Sequence, residues 1–98
     1  MTTERIAAVP TTKIDNEHVI VTEWRFAPGA ETGWHRHGHD YVVCPSTDGT
    51  LLLETSDGDV EAELKIGQPY FRNEGVEHNV INSGASELIF IEVELKKE

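Results

Sequence analysis

A chain of 98 residues supplies one modest core and no room for a second lobe, which predicts a single domain over residues 1–98. Its 18 acidic residues against 8 basic ones give a formal charge of −10, and a surface of that sign repels a phosphate backbone, which excludes nucleic acid as a partner. No apolar run approaches the roughly 18–20 residues of a membrane span. The start, Met1 to Pro10, lacks the basic and apolar regions of a secretory signal, so a soluble, cytoplasmic protein with no membrane partner is expected.

Residues 1–16 contain Pro10 and a polar stretch, and predict an N-terminal arm or a first edge strand. From His18 to Phe26 the chain alternates, with Ile20, Thr22, Trp24 and Phe26 on one face, the pattern of a half-buried strand. Trp24 and Phe26 can line a pocket, fill the core or form a dimer seam, and core or seam is expected. Pro28-Gly29 and Gly33 bend the chain into Trp34-His35-Arg36-His37, a strand that presents two imidazoles on one face. After Gly38-His39 the strand resumes as Tyr41-Val42-Val43-Cys44. Pro45 cannot donate to a ladder and predicts an edge or bulge with irregular pairing. Cys44 is the only cysteine, so it forms no internal disulfide; it reads as a small buried hydrophobe in a reducing compartment.

Thr50–Thr55 and Val60–Leu64 flank Ser56-Asp57-Gly58-Asp59, and an Asp-Gly between two such runs predicts a hairpin. Pro69-Tyr70-Phe71-Arg72 is a short run, His78–Asn82 another strand, and Glu87–Leu95 a last strand with Ile89, Ile91, Val93 and Leu95 on one face. About seven or eight strands separated by Gly, Asp and Asn turns, with no helical window, predict an all-β chain that closes into a barrel or folds as a sandwich. A Gly-turn-His strand occurs twice, near 29–37 and 67–78, as two Greek-key halves produce.

At these positions the chain resembles the cupins, small jelly-roll barrels built as a double-stranded β-helix. Their first motif, Gly-x5-His-x-His-x3/4-Glu-x6-Gly, is met by Gly29, His35 and His37, with Tyr41 where the glutamate stands and Gly49 one residue late. The extra residue is expected near Cys44-Pro45. The second, Gly-x5-Pro-x-Gly-x2-His-x3-Asn, is met by Gly67, Gly75, His78 and Asn82, with Asn73 in place of the proline. The phrase His35 to Val43 is also similar to small bacterial cupins named for β-alanine degradation.

The resemblance implies a divalent metal held by His35, His37 and His78. Imidazole suits zinc, iron, nickel and copper, and iron, zinc, nickel or manganese are the ions expected here. Without the motif glutamate, three neutral imidazoles leave the full +2 charge on the ion, which favours a small anionic molecule as partner. Three activities are open: a dioxygenase or related oxidoreductase, a non-enzymatic metal-dependent binding or sensor protein, and a metal-dependent isomerase or lyase. Tyr41, on the histidines' face by strand parity, is the candidate catalytic residue, as metal ligand, base or hydrogen-bond donor. Arg72 and Tyr70, which share parity, are candidates for binding a substrate carboxylate. His39 reads as a solvated loop residue and Asp40 as a turn carboxylate able to orient an imidazole. A barrel this small with exposed edges is expected to form a homodimer.

Overall fold

Alternating β-branched and aromatic runs cut by glycine and aspartate turns can bury one face each only by stacking as two sheets, and this is the arrangement found. The computed structural model describes residues 5–97, with nine strands and, among the described residues, no helix: β1 Val9–Asp15, β2 Val19–Phe26, β3 His35–Arg36, β4 Asp40–Pro45, β5 Gly49–Thr55, β6 Gly58–Leu64, β7 Tyr70–Arg72, β8 Glu77–Asn82 and β9 Leu88–Leu95. One sheet runs β1-β2-β9-β4-β7 and the other β3-β8-β5-β6, and every strand pairing is antiparallel. The chain passes between the sheets repeatedly, as in a double-stranded β-helix. No helix is long and apolar enough to cross a membrane among the described residues.

The core lies between the sheets, where Phe26, Val43, Leu51, Leu64 and Leu88 are fully enclosed. Each such side chain contributes about 1.5–3 kcal/mol through removal from water. Gly49 opens β5 against this core, and a Cβ placed on it would stand 2.2 Å from Leu88 Cδ2. Packing therefore favours glycine at the late position of the first motif, since a larger residue displaces the Leu88 side chain. The β5–β6 hairpin closes with Thr55 opposite Gly58, whose φ of +114° an L side chain rarely adopts.

Four expectations need correcting. First, β4 is an interior strand between β9 and β7, in unbroken register with β9 from Asp40↔Leu95 to Pro45↔Phe90. Pro45 needs no donor on its other side because β7 pairs only with Tyr41 to Val43. The extra motif residue is absorbed by the Ser46–Asp48 turn, not by a bulge. Second, β3 covers only His35–Arg36, and His37 follows it in the connection to β4. Third, Cys44 is half-buried, opposite Ile91 in β9, whose side chains at odd positions face outward. Fourth, Trp24 and Phe26 differ in depth: Phe26 is buried core, while Trp24 is partly buried, packed against that core, and also lines the cavity described below.

On β9 the buried residues are Leu88, Phe90 and Glu92, so the face of Ile89, Ile91, Val93 and Leu95 looks outward. In the N-terminal segment Val9–Asp15 is an exposed edge strand on β2, as expected; residues 1–4 of the expected arm lie outside the described residues.

Candidate metal centre

His35 and His78 stand directly opposite each other where β3 pairs with β8, so one rung of a ladder brings two imidazoles side by side. Two backbone hydrogen bonds, His37 N–H to Val76 O at 2.9 Å and Gly75 N–H to His37 O at 2.8 Å, fasten the residue after β3 to the turn before β8. The three rings meet edge to face, with His35 Nε2 3.0 Å from His37 Nε2 and His37 Nε2 3.1 Å from His78 Nε2.

The supports around the triad fix its protonation. His35 Nδ1 lies 2.8 Å from the carbonyl of Gly33, and since a carbonyl only accepts, Nδ1 is the donor and the neutral tautomer selected is the one with its lone pair on Nε2. Asn79 holds the loop in place: its Oδ1 accepts from Gly33 N–H at 2.9 Å, while Nδ2 donates to Glu31 and Glu54, each at 2.8 Å. Burial, with the neighbouring imidazoles second, lowers the pKa of His37 to about 3. His78 is lowered to about 4, again mainly by burial. Neutral rings with convergent lone pairs can hold a cation. At metal–nitrogen bonds of about 2.0–2.1 Å, two ligands on one ion are about 2.9 Å apart at a right angle and about 3.3 Å apart at the tetrahedral angle; the observed 3.0 and 3.1 Å fall between. The residues fit a divalent ion.

The triad faces a cavity of about 30 Å³ between the sheets, space for one or two waters, and a wider vestibule of about 260 Å³ shares Trp24, Thr32, His35, His37 and Glu92 with it. Leu51, Leu53 and Val80 make the cavity's wall on the four-stranded sheet. On the opposite wall Tyr41 is 2 % exposed and stacks on His37, ring centroids 3.9 Å apart and planes at 19°. Burial first, then Glu92, pushes its phenol pKa well above the ordinary value, so it stays protonated. Tyr70 also lines the cavity, raised mainly by burial, and the Arg72 guanidinium lies 4.6 Å from the centre of its ring. Arg72 is on the cavity wall and yet largely open to solvent.

Asp40 orients no imidazole; its Oδ1 accepts from Glu74 N–H at 2.8 Å and caps the turn before β8. His39 belongs to neither of the groups able to hold an ion. The motif asparagine, Asn82, is a fastener, 1 % exposed, donating to Phe26 O at 3.1 Å and Ser86 O at 2.8 Å and accepting from Gly84 N–H.

Sequence reasoning missed Glu92. It lines both the cavity and the vestibule, is 8 % exposed, and its pKa is raised to about 7, chiefly by burial and then by Glu94. The indole N–H of Trp24 leans toward it and favours its charged form slightly, but makes no hydrogen bond of good geometry. Strand parity held the signal, because Glu92 follows Leu88 and Phe90 on the face that turns inward.

Comparison with known proteins agrees with this geometry. Residues 22–94 match the cupin domain family. The chain is 70% identical over 92 residues to the β-alanine degradation protein BauB of Pseudomonas aeruginosa, covering 94% of this chain and 97% of that protein. It superposes with TM-score 0.95 and 58% identity on a cupin domain protein of Bordetella pertussis, over 98% of this chain and 100% of that one. A predicted oxalate decarboxylase of Thermotoga maritima shares the fold at TM-score 0.71 and 21% identity, over 96% of this chain and 91% of that one. With a matching domain, both spaced motifs in place and a small relative aligned nearly end to end, the chain belongs to the cupin family.

Proposed function

We propose that the protein is a metal-dependent cupin that holds a small anionic molecule at a His35, His37, His78 centre and performs oxidoreductase chemistry of the dioxygenase type on it. The observation that carries this reading is the meeting of three imidazole Nε2 atoms, 3.0 and 3.1 Å apart, in a cavity between the sheets. A divalent ion supplies Lewis acidity toward an enolate, carboxylate or thiolate and, as iron(II), a place for dioxygen.

The chain's own residues do the rest. The Gly33 carbonyl keeps the His35 proton on Nδ1. Tyr41 steadies the face of His37 and, held protonated, offers a hydrogen bond to a bound anion. Arg72 and Tyr70, on the cavity wall, receive a carboxylate, and Leu51, Leu53 and Val80 give the opposite wall an apolar surface. The 70% identical relative is named for degradation of β-alanine, a short amino acid with a carboxylate end, which supports turnover of a small carboxylate-bearing molecule over sensing.

Metal analysis of protein purified without a histidine tag is the first test, with about one iron per chain expected. Oxygen uptake with β-dicarbonyls, thiols and short carboxylates is the second. His78→Ala is expected to lower metal occupancy as severely as His35→Ala, and unchanged occupancy removes His78 from the ligand set. Protein that is metal-free and takes up no added ion overturns the whole reading. Tight anion binding with no oxygen uptake makes the protein a binding or sensor module instead.

A further inference from the structure

The residue between His78 and Val80 fills no fixed position of either spaced motif, and it points the other way. His78 and Val80 line the cavity, whereas Asn79 stands opposite Glu54 of β5 on the outer side of the four-stranded sheet. It is nevertheless only 6 % exposed, because the loop that carries Glu31 and Gly33 closes on it. Both amide hydrogens are used: Nδ2 donates to Glu31 Oε1 and Glu54 Oε1, each at 2.8 Å, while Oδ1 accepts from Gly33 N–H at 2.9 Å. Turned over, the amide would set its oxygen against two carboxylates and its hydrogens against an N–H. Asn79 is therefore held in one orientation.

What Asn79 holds bears on one imidazole. Gly33 has a φ of +88°, and its carbonyl lies 2.8 Å from His35 Nδ1. Thr32 Oγ1 donates to the same carbonyl at 2.9 Å. His35 depends on this support more than the other two histidines do, since its strand has two residues and its ring is half-buried where theirs are buried. Packing leaves that ring freedom that a hydrogen bond removes. The anchors of Asn79 are tied down in turn. Arg5 reaches Glu31 at 3.2 Å and Glu54 at 3.8 Å, and the Glu31 backbone is clamped by Ala8 N–H to Glu31 O at 2.8 Å and Glu31 N–H to Ile6 O at 2.9 Å.

We propose that Asn79 is a positioning residue of the metal centre: from the outer side of the sheet it fixes Gly33, and through the Gly33 carbonyl it holds the His35 ring with its Nε2 lone pair turned toward His37. The inference rests on the metal-centre reading above. Without the amide the Gly33 peptide is free to turn, and Nδ1 loses its fixed acceptor. His35 then divides between two tautomers, and the one with its proton on Nε2 offers no lone pair to a cation there.

Two readouts test this: cobalt(II) titrated against a competing chelator with visible spectra recorded, and nitrogen NMR of the His35 ring in the metal-free protein, which reports its tautomer. Wild type is expected to take up one cobalt(II) per chain and to carry the His35 proton on Nδ1. Asn79→Ala should bind at least about tenfold more weakly, with shifted ligand-field bands and mixed His35 tautomers. Asn79→Asp should lose as much, because a carboxylate has no hydrogen for Glu31 and Glu54. Adding Glu31→Gln and Glu54→Gln to Asn79→Asp supplies those hydrogens from the other side and should restore affinity, spectrum and tautomer. A lower melting temperature in Asn79→Ala with unchanged cobalt(II) affinity, spectrum and tautomer overturns the inference, leaving Asn79 a fastener of the fold. Weaker binding with the spectrum and tautomer unchanged also overturns it, since the loss then bypasses His35, and so does a failure of the combined exchange to rescue. Should Asn79→Ala not fold, Glu31→Ala with Glu54→Ala frees the same amide from partly exposed positions, and an unchanged spectrum and tautomer there overturn the inference. Wild type that binds no cobalt(II) overturns the metal centre, and the His35 tautomer in the metal-free variants still decides whether Asn79 sets the ring.

Discussion

His37 and His78 are neutral in the fold at pH values where free imidazole is charged, because burial and the neighbouring rings disfavour the cation. Their folded pKa values, about 3 and about 4, lie below the usual 6.5, so between those limits the unfolded chain binds more protons and stability falls as pH drops. Glu92 has the opposite sign. Its pKa rises from 4.5 to about 7, the folded state holds the extra proton, and stability declines as pH climbs through that window. Two histidines outweigh one glutamate below pH 6.5. Metal-free protein should therefore lose on the order of several kcal/mol between pH 6.5 and 4, read as a falling urea midpoint; a flat profile over that range refutes the assignment. Glu92→Gln should steepen the rise toward neutral pH. The histidines were legible in the sequence because metal ligands sit at fixed spacings beside glycines. Glu92 was not, since a single glutamate in an alternating strand announces a side only once the core has chosen its face.

The β5 strand and β9 meet at Gly49, where the absence of a side chain is filled by Leu88. Gly49→Ala inserts a methyl into a closed contact and should destabilise by about 1–3 kcal/mol. Leu88→Ala should cost about 2–5 kcal/mol on its own, and the double variant less than the sum, because the second truncation makes room for the first insertion. Additive costs in a denaturation double-mutant cycle place the strain of Gly49→Ala elsewhere. Element order was readable from turns and alternation, down to the Asp57-Gly58 hairpin. What alternation could not give was the partner of each strand. Pro45 suggested an edge because a proline needs a side without a ladder donor, and that side exists inside the sheet only because β7 is three residues long.

Across the whole molecule one row of side chains runs over the outer face of the five-stranded sheet: Ile14, Val21, Val93, Val42 and Phe71, in register from β1 to β7. Leu95, Val19 and Asp40 flank it on one side, Ile91, Cys44 and Glu23 on the other, so only the central row is free of charge. Ile14, Phe71 and Leu95 are exposed. A chain of net charge −10 has few places where two copies can touch without opposing like charges, and this uncharged row is one. We propose that it is the seam of a homodimer. Light scattering should give twice the 10.9 kDa chain mass, and Val93→Lys should give the monomer with its melting curve otherwise intact. A monomeric wild type at micromolar concentration counts against the seam.

β9 thus has two independent vocabularies written into alternate letters. Its odd positions look outward onto the proposed seam, and at its even positions Phe90 and Glu92 look inward onto the cavity. Changes at Ile89, Ile91 or Val93 should alter the proposed seam without reaching the cavity, and changes at Phe90 or Glu92 should alter the cavity without reaching the seam. A strand read in this way lets a lineage exchange partners and substrates on separate schedules.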